Sequence, residues 1–217
     1  MSKPITVDYF TDILCVWAWI VQQRIEELNK QFADRIEIRH QYLDIFGNTA
    51  TRIQDQWKNN GLYDGFGDHV TQSAAPFEAA PVNAEIWHKV RPTTSANAHL
   101  ILKATELAHG SQVAADFALS IRKAFFVDAL DISHFDTLDE LLMREQIELA
   151  PVHDCINNGK ALAALIGDFQ KAKQYEIKGS PTLVLDNGRQ TLYGNVCYRV
   201  IHTNVEELLN NLASNSA

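Results

Sequence analysis

Of the three cysteines in the 217-residue chain, Cys15, Cys155 and Cys197, the first stands where the backbone would shape its chemistry. It lies in Asp12-Ile13-Leu14-Cys15-Val16-Trp17-Ala18-Trp19, a turn between a strand-like and a helix-like segment. Unpaired N–H groups at a helix N-terminus favour a thiolate, and the helix dipole adds about 0.3–1 kcal/mol or more. A thiolate attacks disulfides and electrophilic carbon, which a thiol does not. The competing reading of Cys15 is a small buried apolar side chain. A second segment, Ile177-Lys178-Gly179-Ser180-Pro181-Thr182, sets a proline at a strand entrance, where the missing N–H does no harm.

Other chemistry has little support. There is no Cys-x-x-Cys pair and no His-x-x-x-His spacing among the eight histidines, so no metal site is expected. No Ser-His-Asp set, phosphate loop or dinucleotide fingerprint occurs. Cys155 reads as structural. Cys197, before the last helix, reads as structural ahead of a remote resolving thiol. Trp17 and Trp19 could wall a pocket, although Trp17 begins an apolar stripe and reads as core. Trp57, Tyr63 and Phe66 could cap a site, while Arg91 and His99 read as surface or packing residues.

The elements that would hold these residues follow from periodicity. Ile5 to Phe10 is rich in β-branched and aromatic residues and reads as a strand, and Ile36 to Tyr42 (Ile-Glu-Ile-Arg-His-Gln-Tyr) reads as a second one. Between them Trp17, Ile20, Val21, Ile25, Leu28 and Phe32 recur at helical spacing. A βαβ unit with parallel, adjacent strands is expected. Residues 48–175 show little strand character and carry helical stripes: Ala96, Leu100, Ala104 and Leu107; Val113, Phe117, Ile121, Ala124 and Phe125; Leu138, Leu141 and Leu142; Leu162, Leu165, Ile166 and Phe169. Thr137 and Glu140 have capping-box spacing. Thr182–Leu185 and Gln190–Tyr193 flank Asn187-Gly188, a hairpin signature. A last helix is expected from Thr203, capped with Glu206 and burying Val205, Leu208, Leu209 and Leu212. The order predicts an α/β core from residues 1–47 and 176–217, with 48–175 as an inserted helical subdomain.

The formal net charge of −8 and pI near 5.4 repel phosphate backbones, which argues against nucleic acid as a partner. The N-terminus lacks the apolar stretch of a signal peptide, and no apolar run approaches the ~20 residues of a membrane span. Three scattered cysteines fit reduced thiols, so a cytoplasmic protein without membrane association is expected.

Taken together, the two segments resemble the DsbA-like branch of the thioredoxin superfamily, which includes kappa-class glutathione transferases and 2-hydroxychromene-2-carboxylate isomerases. That branch opens its first helix with a motif of the type Asp-x-x-Cys-Pro-Trp-Cys-aromatic. Asp12, Cys15, Trp17 and Trp19 match it. Gly179, Ser180, Pro181 and Thr182 match its Gly-x-Pro-Thr loop, whose cis proline faces the active cysteine. The resemblance spans the chain and implies a thioredoxin fold with a mostly helical insertion. It implies Cys15 as the catalytic thiol and Trp17, Ser180 and Pro181 as substrate-binding residues. Two positions depart from the pattern. Val16 replaces a common proline, and Ala18 replaces the second cysteine, which excludes the intramotif disulfide of a dithiol donor. The resemblance therefore implies a monothiol oxidoreductase forming a mixed disulfide at Cys15 with glutathione or a protein thiol. Glutathione would be a cosubstrate and no cofactor would be covalently bound. The alternatives are a glutathione-dependent transferase or isomerase, in which Cys15 only orients glutathione, and a non-catalytic binding protein. Relatives often pair, so a homodimer is the oligomer to look for. Around Cys197 the relatives carry a Gly-x-Asp-Arg type sequence, whereas here Asn195 and Val196 stand and the acid is missing. From its position, Cys15 is expected to have a lowered pKa and to alkylate fastest of the three thiols.

Overall fold

The computed structural model describes residues 4–214, with side chains through Asn211. Strand β1 (Ile5–Thr11) is buried along its whole length and sits inside a four-stranded sheet of order β2-β1-β3-β4. It pairs parallel with β2 (Ile36–Tyr42), Val7 opposite Ile38, and antiparallel with β3 (Thr182–Leu185), Tyr9 opposite Leu183. Strand β4 (Gln190–Tyr193) continues antiparallel from β3. At the hairpin between them Asn187 and Gly188 hold φ of 57° and 97°, the left-handed backbone that these two residue types tolerate best.

Alternation along β1 sends side chains to two different cores. Ile5, Val7 and Tyr9 face α1 (Val16–Phe32) and α9 (Tyr198–Ser214), packing with Val21, Ile25, Leu28, Ile201 and Val205. Phe10 faces the other way, with Leu43, Val184, Tyr175 and Ile177. Helices α2 (Thr49–Trp57), α3 (Leu62–Ala74), α4 (Ala96–His109), α5 (Ser111–Phe126), α6 (Phe135–Arg144), α7 (Leu149–Asn157) and α8 (Lys160–Gln174) lie between β2 and β3 in sequence. One apolar cluster joins Val16, Ala18, Trp19 and Ile20 of α1 to Ile101, Phe117, Phe125, Leu142 and Leu165 of these helices. This is the thioredoxin fold with a mostly helical insertion that the resemblance implies.

The sheet has an edge at β2, and an unpaired edge needs cover. Here buried charges from the insertion supply it. Asp168 of α8 accepts a hydrogen bond from the Tyr42 N–H at 2.9 Å, and Lys103 of α4 donates to the His40 carbonyl at 3.2 Å. The two side chains pair at 3.1 Å, and Lys103 also reaches Glu106 at 2.9 Å.

Several expectations are corrected. Helix α9 begins at Tyr198, five residues before Thr203, because Ile201 continues the buried spacing of Val205 and Leu208 upstream. Leu209 is half-buried, and the Leu212 side chain lies outside the described residues. Thr137 likewise sits inside α6, which starts at Phe135, so neither capping box forms. On α4 the buried residues are Ala98, His99, Ile101, Leu102, Lys103, Ala104 and Thr105, and Leu107 is exposed. A helix enclosed by α5, α7 and α8 buries more than one stripe. On α8 Leu165 is buried, while Leu162 and Ile166 are exposed.

Candidate functional site

Cys15 caps the start of α1 in an extended conformation, its N–H bonded to the Asp12 carbonyl at 3.1 Å. Asp12 fixes the turn that delivers it. Wholly buried, its carboxylate accepts from the Leu14 N–H at 3.0 Å, the Ile45 N–H at 3.2 Å, the Phe46 N–H at 2.9 Å and the Ser95 hydroxyl at 2.9 Å. One side chain thereby ties the β1–α1 turn to the loop after β2 and to the start of α4. The Ser95 N–H completes the junction by donating to the Phe46 carbonyl at 2.9 Å.

His99 completes the base of the turn. Its Nε2 accepts from the Ile13 N–H at 3.1 Å, so that nitrogen carries no proton and the 3.8 Å approach to Asp12 is not a hydrogen bond. Burial holds its pKa down to about 4, against the pull of Asp12, and Tyr42 stacks on the ring at 4.7 Å. A neutral imidazole is thus built in as a backbone acceptor.

Across from the turn, the Ser180–Pro181 peptide is cis. The Ser180 hydroxyl accepts from the Asp12 N–H at 3.0 Å, and its carbonyl accepts from the Cys15 thiol at 3.3 Å. Thr182 secures the loop from below through its hydroxyl, which donates to the Gly179 carbonyl at 2.7 Å. The two segments singled out in the sequence therefore meet directly.

They line a cleft of about 360 Å³ with Val16, Trp17, Ile45, Phe46, Arg52, Gln56, Trp57, Phe66, His69, Lys178, Gly179 and Tyr193. Trp17 is half-buried on this wall, whereas Trp19 is core, stacked on Phe126 with its indole N–H on the Pro81 carbonyl at 3.0 Å. The reading of Trp17 as core is corrected. Trp57 and Phe66 do face the cleft; Tyr63 packs beside Trp87 under Arg91 instead.

The thiol's electrostatics correct another expectation. Cys15 is only 7% exposed, and burial pushes its thiol above the ordinary range. The hydrogen bond at Ser180 and the N–H groups of Ala18 and Trp17 pull it back, while the Asp12 carboxylate adds to the rise. Helix position alone predicted a fall, but desolvation wins. Cys197 is the exposed thiol and Cys155 is half-buried, so Cys15 is the least accessible of the three. Near Cys197, Arg24 donates to the Asn195 side chain at 2.5 Å and to the Val196 carbonyl at 2.7 Å.

Neither Ser95 nor Arg52 was singled out from the sequence, and the surface-or-packing reading of His99 holds as packing, since the ring is buried. None belongs to a short motif. Ser95 and His99 are polar types at or within an apolar-rich helix, whereas Arg52 sits in the largely polar run Thr49–Trp57, where nothing sets it apart.

The comparisons agree with this architecture. The family model described as thioredoxin matches residues 9–213. A curated relative, the ClpXP adapter protein SpxH of Bacillus subtilis (strain 168), is 22% identical over 188 residues, which are 86% of this chain. The aligned region spans 60% of that relative's length. A putative protein disulfide isomerase from Nitrosomonas europaea superposes with a TM-score of 0.77 at 16% identity, covering 99% of this chain and all of that one. The cytosolic disulfide reductase DsbM of Pseudomonas aeruginosa, solved also with GSH, superposes with a TM-score of 0.65 at 17% identity, covering 87% and 89% of the two chains. Among the described residues no helix is long and apolar enough to cross a membrane.

Proposed function

From the premise that the chain belongs to the thioredoxin family, we propose that it is a cytoplasmic monothiol oxidoreductase that exchanges glutathione through a mixed disulfide at Cys15. The observation that carries this reading is the 3.3 Å contact of the Cys15 sulfur with the Ser180 carbonyl, inside a cleft wide enough for a peptide-sized thiol. DsbM, similar in fold, has been solved with GSH.

The Cys15 thiol first loses its proton to solvent. The thiolate attacks the glutathione sulfur of a protein–glutathione disulfide. The new Cys15–glutathione bond forms as the old S–S bond breaks, and the protein leaves as a thiolate. A glutathione thiolate then attacks the adduct, releasing oxidised glutathione and restoring the Cys15 thiolate. Ala18 supplies no resolving sulfur, so the adduct waits for the second glutathione. Trp17 forms part of the wall along which the substrate lies, and the backbone of Ser180, just ahead of β3, pairs with it.

A second reading draws on the same contact. A protonated Cys15 that donates to Ser180 suits a residue that orients bound glutathione without attacking, as in the isomerases of the resemblance. Mass spectrometry after treatment with oxidised glutathione separates the two. A Cys15 adduct, reversed by reduced glutathione, supports exchange. Binding of glutathione with no adduct at any pH up to 10 would leave the orienting role and reject exchange.

A further inference from the structure

The chain carries 27 acidic against 19 basic residues, yet no aspartate or glutamate lines the cleft beside Cys15. Two cations do, Arg52 and Lys178, and His69 lies on the same wall. Arg52 is placed by the start of α2. The Asn48 side chain caps that helix through the Thr51 N–H at 3.0 Å, and the Arg52 N–H bonds the Asn48 carbonyl at 3.1 Å. The guanidinium then lies over the Phe46 ring, 4.7 Å from its centroid. Its Nε is buried and has no hydrogen-bond partner, and the group makes no ion pair among the described residues. Asp12 is the carboxylate whose field reaches it, but the Asp12 oxygens are taken by Leu14, Ile45, Phe46 and Ser95. Lys178 also makes no ion pair among the described residues. A half-buried guanidinium held over an aromatic ring, its Nε without a partner, is placed to receive a planar carboxylate.

We infer that Arg52, assisted by Lys178, is an anion subsite beside Cys15, which makes the cleft selective for thiols and disulfides bearing a carboxylate near the sulfur. The inference deepens the proposed exchange reaction and rests on that reading for its substrate, but the subsite is testable without it. Neutral and amine-bearing disulfides would find Trp17, Trp57 and Phe66 without an ionic anchor, and amines would meet two like charges.

The test is calorimetric binding of S-methylglutathione, which cannot exchange, and of its diethyl ester, which lacks both carboxylates. Cys15→Ser protein is used, with and without Arg52→Gln. The expected result is that Arg52→Gln weakens the acid about tenfold or more, as for loss of a charge-assisted hydrogen bond, and leaves the ester unchanged. Arg52→Lys should recover part of the loss, and Lys178→Gln should cost less. Equal affinity of the acid for the protein with and without Arg52→Gln would overturn the subsite. A parallel measurement uses Cys197→Ser protein, which removes the exposed thiol. Because the two disulfides differ in leaving group, each is compared with itself: Arg52→Gln should slow anionic dithiobis(nitrobenzoate) about tenfold and leave cationic cystamine as fast or faster. No reaction with either disulfide, alongside intact Arg52-dependent binding, would reject exchange and retain the subsite. Circular dichroism melts check that each variant is folded.

Discussion

Two cysteines in this molecule begin helices, and their surroundings are opposite. Cys15 precedes α1 and is buried; Cys197 precedes α9 and is exposed. Each has a carbonyl that accepts from the following turn, Cys15 from Trp19 and Cys197 from Ile201. The shared feature is the local backbone. What differs is everything tertiary: a loop across from the sulfur, a carboxylate organising the turn, and a cleft. A helix N-terminus supplies a small favourable field within its first turn, and the cost of burying a thiolate exceeds it at Cys15. Position in a motif therefore identifies the thiol, while the fold decides how acidic it is.

The comparison breaks if the wrong cysteine supports turnover. With a glutathionylated peptide, reduced glutathione and a coupled reductase, Cys15→Ser should lower the rate at least ~100-fold, as expected when a covalent nucleophile is removed. Cys197→Ser should leave it within about twofold, since exposed substitutions away from a site have little effect. A loss at Cys197 equal to that at Cys15 would assign it the resolving role.

Asp12 sharpens the contrast, since among the described residues no carboxylate is seen bonding the turn at Cys197. Asp12→Ala strands four donors in a buried place. It should cost about 3–5 kcal/mol, or roughly 6–20 °C in Tm for a chain of this length. Asp12→Asn keeps one acceptor oxygen and should cost less. A melt unchanged by Asp12→Ala would remove the knot from the account of the site.

His99 gives the site a pH signature of its own. Its folded pKa of about 4 lies below the ordinary 6.5. The group is therefore fully stabilising above pH 6.5, and that contribution is lost as pH falls from 6.5 toward 4. The loss should amount to about 3 kcal/mol in urea melts. His40, held down to about 3, contributes in the same direction over a wider window. His99→Gln offers the Ile13 N–H an oxygen that does not titrate, so it should flatten part of this slope. An identical slope in the variant would assign the acid lability elsewhere.

Much of the fold was legible because it is written in short-range pattern. β2 spans the expected Ile36–Tyr42 residue for residue, and the hairpin follows Asn187-Gly188. Cys15 and Ser180–Pro181 were legible as a site because both lie in motifs, although 165 residues separate the bonded pair. The remaining site residues are single polar side chains on helices, such as Arg52 and His99, whose partners lie on other elements. No periodicity marks such a residue, since its role comes from the fold around it. The helix starts failed for a related reason: Thr137–Glu140 and Thr203–Glu206 have cap spacing, but apolar contacts upstream carry both helices past them.

The smallest expected effect lies in the relative reactivity of the two thiols. At pH 7 iodoacetamide should reach the exposed Cys197 before Cys15, reversing the order that helix position suggests. Two factors act together on Cys15: 7% exposure limits access, and the raised pKa leaves most of the thiol protonated. The sign of the pH dependence follows. Because the thiolate is the nucleophile, Cys15 alkylation should accelerate about tenfold per pH unit while pH stays below its folded pKa. That rise should continue beyond the ~8.5 at which a free thiol levels off. Linkage gives the matching stability effect. The folded state keeps the Cys15 proton more tightly than the unfolded chain, so this contribution to stability is present below the ordinary thiol pKa. It is lost as pH climbs toward the folded value. Peptide mapping of alkylation against pH, residue by residue, measures both thiols in one sample. A Cys15 rate that levels off below pH 8 would show that the N–H groups of α1 outweigh burial, and would restore the motif as sufficient to set its acidity.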